Sequence, residues 1–311
     1  MIDILATSSI EPARETELHS LVAAGRAIDG TAFLEMEKSL NFDPAMKSWF
    51  FAVEGEELVG ALSVFAPRRE EAEISALVHP ARRRSGVFSA LVARAERELS
   101  PCGFADELLV CDRGAAPGEV PGAPPGSSPG AAAALSLGAR LDFTEYGMTY
   151  AAAAAALADS AERRVAARPE PQGLQFAEVG PERLAELVEL RMDAFGDSRE
   201  DSESIQRAAF ASPRRKEHVA LLGDRIVAAC SIAHEDAAVS LNGIGVATAE
   251  RGKGIAKALI LWTLGRLSGS RLPIVLDVES GNVKAFGLYT SLGFIVNRAV
   301  DYYRRPFPRV G

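Results

Sequence analysis

Cysteine is scarce in this chain, with three among 311 residues. Cys102, Cys111 and Cys230 form no Cys-x-x-Cys pair. That excludes a disulfide framework and a zinc ribbon, and points to a reducing compartment. Histidine is nearly as rare. His19, His79, His218 and His234 are scattered, with no pair at ligand spacing, so no metal is expected. No apolar run reaches the roughly 20 residues that span a bilayer. The opening MIDILATSSIEPARE lacks the basic start and apolar centre of a signal peptide. The expectation is a cytoplasmic protein with no membrane partner. Basic clusters are few, Arg82–Arg84 among them, and the net charge is −8. Nucleic acid is therefore not an expected partner, and the acidic balance leans toward a cationic or amine ligand.

What the chain does have is length for about two domains and one informative stretch, Ser240 to Phe294. Ile244 and Val246 alternate as on a strand. Arg251, Gly252, Lys253 and Gly254 make a turn. From Ile255 the apolar positions Ile255, Leu259, Trp262 and Leu267 recur at roughly helical spacing. A helix N-terminus offers unpaired N–H groups and partial positive charge, which suits phosphate. Gly252 and Gly254 leave the backbone uncovered. The stretch RGKGIA lacks the GxxxxGK[ST] of a P-loop, and the GxGxxG of a dinucleotide fold fails at Lys257. A pyrophosphate cradle and a plain surface turn both fit RGKG alone.

Two signatures in order decide between them. RGKGIA resembles the R-x-x-G-x-(G/A) motif of the GCN5-related N-acetyltransferases. Asn282, Ala285, Leu288, Tyr289, Leu292, Gly293 and Phe294 resemble that family's second motif, one strand further on (Leu272–Val278). The resemblance implies acetyl-CoA as acyl donor, held at Arg251, Gly252, Lys253, Gly254, Ile255 and Ala256. It implies that Ile244 and Val246 pair with the pantetheine, and that the Val246 N–H serves the oxyanion. Asn282 would bond the pantetheine arm, cap the following helix, or do both. Tyr289 would give a proton to the leaving thiolate, the alternative being a core aromatic packed on the sheet. The general base is not legible. The strand before the turn carries Ser240 and Asn242, while Asp277, Glu279, Glu235 and Asp236 lie near it in sequence. Glu279 is the choice, because it ends the next strand.

The chain also repeats itself. VHPARRRSGVF aligns with VATAERGKGIA, with Arg83 on Arg251 and Gly86 on Gly254 at a constant offset of 168. Self-similarity at this distance means a duplicated domain. The expected fold is α/β: two tandem acetyltransferase-like domains, each a mixed twisted sheet flanked by helices. The N-terminal domain is 1–168 and the C-terminal domain 173–311, with the boundary near Pro169–Gly173 after a short Ala-rich helix. The first copy departs from the pattern. Phe88 stands at the place of Ala256 and Ala134 at that of Tyr289, so this copy reads as degenerate and non-catalytic, with chemistry in the second. A Gly-, Pro- and Ser-rich insertion, Gly114–Gly130, reads as a flexible surface loop, or as a lid.

Along the first half, strands are expected at Ile2–Leu5, Trp49–Val53, Leu58–Phe65 and Ala72–Val78. Helices are expected at about Ala13–Ile28 and Thr31–Leu40. In the second half, LQFAEV, a hairpin around Gly223-Asp224 and AAVSLNGIGV read as strands, and FIVNRAVDYYRRPF as a last strand or strand pair. Tandem copies with a weakened first site resemble the arrangement of mycothiol synthase, an acetyltransferase for a cysteinyl amine. VESGNVKAFGLYTSLGF is the closest stretch, and the missing carboxylate before the turn is a departure. The expected function is acetyl transfer from acetyl-CoA to an amine of a small molecule. The competing reading is a non-catalytic acyl-CoA-binding protein.

Overall fold

The computed structural model describes residues 2–36, 38, 41–114, 128–151 and 173–308. Its residues divide into two compact units. The first is Met1–Tyr146 with Glu279–Gly281 and Arg298–Gly311; the second is Gly147–Val278 with Asn282–Asn297. The units are thus not two contiguous halves of the chain. The boundary expected near Pro169–Gly173 and the helix before it fall on 152–172, outside the described residues, as do residues 115–127 of the insertion.

In the first unit, β1 (Ile2–Thr7), β2 (Trp49–Glu54), β3 (Glu57–Phe65) and β4 (Glu71–Val78) pair antiparallel in sequence order. β4 then pairs parallel with β5 (Asp106–Asp112). β6 (Arg140–Tyr150) is one continuous strand. Among the described residues, three α-helices accompany them: α1 (Pro12–Asp29), α2 (Val87–Leu99) and α3 (Pro129–Ser136). Strand alternation explains how helices cover both faces. On β2, Trp49 and Phe51 pack with Leu18 and Leu21 of α1, while Phe50 and Ala52 join Leu91, Val92 and Leu99 of α2.

The second unit begins with β7 (Leu174–Val179), followed by α4 (Leu184–Phe195) and α5 (Arg199–Ala211). The hairpin of β8 (Arg215–Leu222) and β9 (Arg225–His234) turns at Gly223, and β10 (Val239–Val246) pairs antiparallel with β9. Next come α6 (Ile255–Arg266), β11 (Ile274–Glu279), α7 (Val283–Ser291) and β12 (Phe294–Pro306). The last segment is a single strand. Its residues Val300–Pro306 pair antiparallel with β5 and so complete the first unit's sheet. Among the described residues, no helix is long and apolar enough to cross a membrane.

One expected element is absent. Residues 31–36 of the segment read as a helix over 31–40 are irregular, and 37, 39 and 40 lie outside the described residues. Strand hydroxyls claim the backbone groups a helix would use. The Glu35 N–H donates to Ser75 Oγ at 2.9 Å, and Ser63 Oγ donates to the Glu35 carbonyl at 2.5 Å. The insertion read as Gly114–Gly130 also ends earlier than expected. Ser128 caps α3 through the Ala131 N–H, with Pro129 in its first turn.

The second unit buries one histidine that will report on its stability. His218 is 3 % exposed, its Nδ1 lies 3.0 Å from Thr263 Oγ1, and its ring meets Trp262 edge-on at 4.8 Å. Burial, opposed by Glu178, pushes its pKa from 6.5 down to about 4. The unfolded chain takes up this proton below pH 6.5, while the folded chain holds out to about pH 4. The stability tied to neutral His218 is complete above pH 6.5 and declines as pH falls toward 4. The loss is about 3 kcal/mol at pH 4. Urea unfolding at pH 7 and pH 4 should show that extra loss in the wild type and not in His218→Leu.

Candidate acyl-donor turns

The two units build the same turn from the same parts. In the second, β10 and β11 pair in parallel only at Val239–Ile274 and Ser240–Val275, after which their ladder stops. The β9–β10 register shifts between Asn242 and Gly245, with Gly243 left-handed at φ +56°. This bulge re-aims the strand end. Gly245 is required by close approach, since a Cβ there would meet the Phe195 ring at 2.9 Å and Ala194 at 3.1 Å. Ile244 and Val246 are half-buried on this strand end.

Arg251 follows, and its guanidinium is spent on the scaffold. Nε donates to the Val246 carbonyl at 3.2 Å and Nη2 to the Ala194 carbonyl at 2.7 Å. Asp193 adds a second tie, accepting from the Thr248 N–H at 2.6 Å. That bond and the Thr248 hydroxyl hold the Asp193 carboxyl below its usual range. The Lys253 ammonium reaches Glu250 Oε2 at 2.7 Å, and Glu250 also accepts from Arg225. Gly252 and Gly254 are left-handed at φ +76° and +84°. Gly254 is the N-cap of α6, Ile255 is buried, and Ala256 is half-buried in its first turn. Nothing lies within 4 Å of a Cβ built on Gly252 or Gly254. The helix start is thus open, and its first-turn N–H groups, with the dipole behind them, suit a pyrophosphate.

The first unit repeats the device. Arg83 Nε donates to the Val78 carbonyl at 3.3 Å, the counterpart of the Arg251–Val246 bond. Its Nη1 and Nη2 grip Asp29 at 2.9 and 2.5 Å, at the end of α1, as Arg251 grips the end of α4. Gly86 caps α2 at φ +85°, and Arg84 takes the left-handed φ of 59° where the other copy has Gly252. The β4–β5 ladder stops after Ser75–Val110. A cleft of about 990 Å³ opens there, running from Phe33 and Leu77 to Gly86 and Phe88. Phe88 is half-buried and packs on the core beside the cleft.

The remaining site residues of the second copy take these places. Asn282 caps α7, its Oδ1 accepting from the Ala285 N–H at 3.2 Å. Tyr289 is 7 % exposed and tilts against Phe294 at 6.1 Å. Burial first and the Cys230 sulfur second push its phenol up to about 12. Glu279 is exposed at the end of β11, in the Glu279–Gly281 stretch of the first unit. The structure thus gathers Ile244, Val246, the 251–256 turn, Asn282 and Tyr289 in one unit and leaves Glu279 in the other. Sequence reasoning missed Asp29 and Asp193, which have no motif.

Two copies of a splayed parallel pair feeding a glycine-capped helix define an acyl-CoA-type acetyltransferase fold. The family model described as Acetyltransferase (GNAT) family matches residues 14–116 and 184–294, and the chain belongs to that family. Solved structures share the fold, one of them described as a tandem protein. A GCN5-related N-acetyltransferase from Sphaerobacter thermophilus matches with TM-score 0.71 at 19% identity, covering 99% of this chain and 97% of that one. A tandem GNAT protein from the clavulanic acid biosynthesis pathway matches with TM-score 0.71 at 15% identity, covering 100% of both. A GNAT-family acetyltransferase from Colwellia psychrerythraea matches with TM-score 0.57 at 16% identity, covering 97% of this chain and all of that one. A search of the curated proteins finds no match.

Proposed function

We propose that the chain moves an acetyl group from acetyl-CoA to the amine of a small molecule, with this chemistry in its C-terminal domain. The observation that carries the reading is the open, glycine-capped start of α6 where β10 and β11 part. Bound there, the donor supplies an activated carbonyl on a thiol leaving group. Gly252, Gly254, Ile255 and Ala256 hold the pyrophosphate by backbone N–H groups, and Lys253 contributes charge at the rim. Arg251 keeps the turn in shape instead of meeting phosphate. The backbone of Ile244 and Val246 extends the sheet to the pantetheine, and the Val246 N–H faces the carbonyl oxygen. Tyr289 keeps its proton throughout the physiological range, as a donor to the departing sulfur must. Asn282 fixes the helix that carries Tyr289. Thiol release from acetyl-CoA in the presence of primary amines tests the reading. No release with any amine, beside intact binding, would leave an acyl-CoA-binding protein without transfer.

A further inference from the structure

The last turn of α4 lies along the end of β10. Phe195 and Ala194 close on Gly245, and Asp193 and the Ala194 carbonyl hold the turn beyond it. Arg191 stands four residues before Phe195, on the same helix face, and reaches the bulge itself. A Cβ built on Gly243 would stand 3.1 Å from Arg191 Nη1. Arg191 Nη2 donates to Asp197 Oδ2 at 3.2 Å, and the guanidinium carbon lies 5.2 Å from the centre of the Phe195 ring. Both partners of this ion pair are largely buried, with side chains 18 % and 15 % exposed. The guanidinium also acts on Glu217, which is buried on β8. Burial raises the Glu217 carboxyl, and Ser231, Gln206, Arg191 and Arg215 oppose the rise. Two carboxylates thus attract one cation at the bulge.

A long charged side chain is seldom placed so deep, and the bulge gives it a task. The β9–β10 pairing passes from Asn242–Ser231 to Gly245–Ala229 and skips Gly243 and Ile244. Strand pairing therefore does not fix the backbone that leads into Val246. The stack of Arg191 on Phe195 supplies a wall there, one member against Gly243 and the other against Gly245. We propose that Arg191 is a positioning residue for acyl transfer: clamped by Asp197 and stacked on Phe195, its guanidinium seats the Gly243 bulge so that the Val246 N–H is aimed at the thioester oxygen. The inference rests on the transfer reading above and deepens it. Arg191 touches no reacting atom and works through the β10 backbone. An N–H that meets developing charge must be in place beforehand, and a displacement of about 1 Å costs on the order of 100-fold. A planar guanidinium can stack on a ring and donate to a carboxylate at once, which an ammonium does poorly.

The test follows the Val246 amide proton by NMR on the full chain, with acetyldethia-coenzyme A as probe. In this analogue a methylene replaces the sulfur, so the carbonyl is kept and cannot be transferred. In the wild type the amide proton should move downfield when the probe binds, as it donates to the carbonyl. Arg191→Met keeps the apolar stem and loses the fork. It should abolish that movement, lower kcat at least about tenfold and leave the KM of the amine and the affinity for acetyl-CoA unchanged. Arg191→Lys should restore part of both effects. Asp197→Asn, which leaves Arg191 in place, should show a smaller loss in the same direction, and it carries the test if Arg191→Met does not fold. An amide that moves equally in wild type and Arg191→Met overturns the proposal, as does one that does not move in the wild type. A raised KM for the amine with kcat unchanged also overturns it, and makes Arg191 an acceptor ligand. If the wild type releases no thiol with any amine while the amide response still depends on Arg191, the aiming of Val246 stands and the transfer reading alone falls.

Discussion

Replacing Tyr289 with phenylalanine is expected to lower turnover roughly tenfold or more while leaving the affinity for acetyl-CoA unchanged. The ring of Tyr289 is buried and packs against Phe294, so phenylalanine keeps that contact and loses only the hydroxyl. Stability should therefore hold, and a fall in kcat can be assigned to proton delivery. The phenol is pushed up to about 12 by burial, so it is protonated at any working pH and its own titration will not shape the pH–rate curve near neutrality. Steady-state kinetics with a separate binding measurement check both halves of the prediction. Unchanged turnover would make Tyr289 a core aromatic and nothing more.

A tryptophan at Gly254 should remove acetyl-CoA binding from the C-terminal domain, with a loss of at least about 100-fold, or roughly 2.7 kcal/mol. Two effects add. The left-handed φ of +84° disfavours any residue with a Cβ by roughly 1–2 kcal/mol. The side chain also enters the open space over the first turn of α6, where the phosphates would sit. Gly254→Ala separates the two, because its Cβ meets nothing within 4 Å. Alanine should lower the melting temperature by a few degrees and weaken binding far less. If both variants bind acetyl-CoA like the wild type, the cradle lies elsewhere.

The turns were legible because their chemistry is local. Glycines that must take a left-handed φ are written at fixed spacing before a helical pattern, and the offset of 168 extends to the backbone, where Val78 and Val246 accept from matched arginines. The role of those arginines was not legible. A guanidinium beside a glycine-rich turn reads as a phosphate ligand from sequence, and in the structure the neighbouring helix ends, at Asp29 and Ala194, bond it. The irregular segment after α1 was misread for a related reason. Its periodicity is helical, yet Ser63 and Ser75 capture its backbone from distant strands. Strand partners are equally non-local. The pattern of β12 announces a strand, and nothing in it says that Val300–Pro306 pair with β5.

The measurement closest to the central claim is a calorimetric titration of the full chain with acetyl-CoA. Saturable binding is predicted, at a site lost or weakened by Gly254→Trp. Absence of any binding would contradict the account at its root, and would reduce both glycine-capped helix starts to ordinary turns.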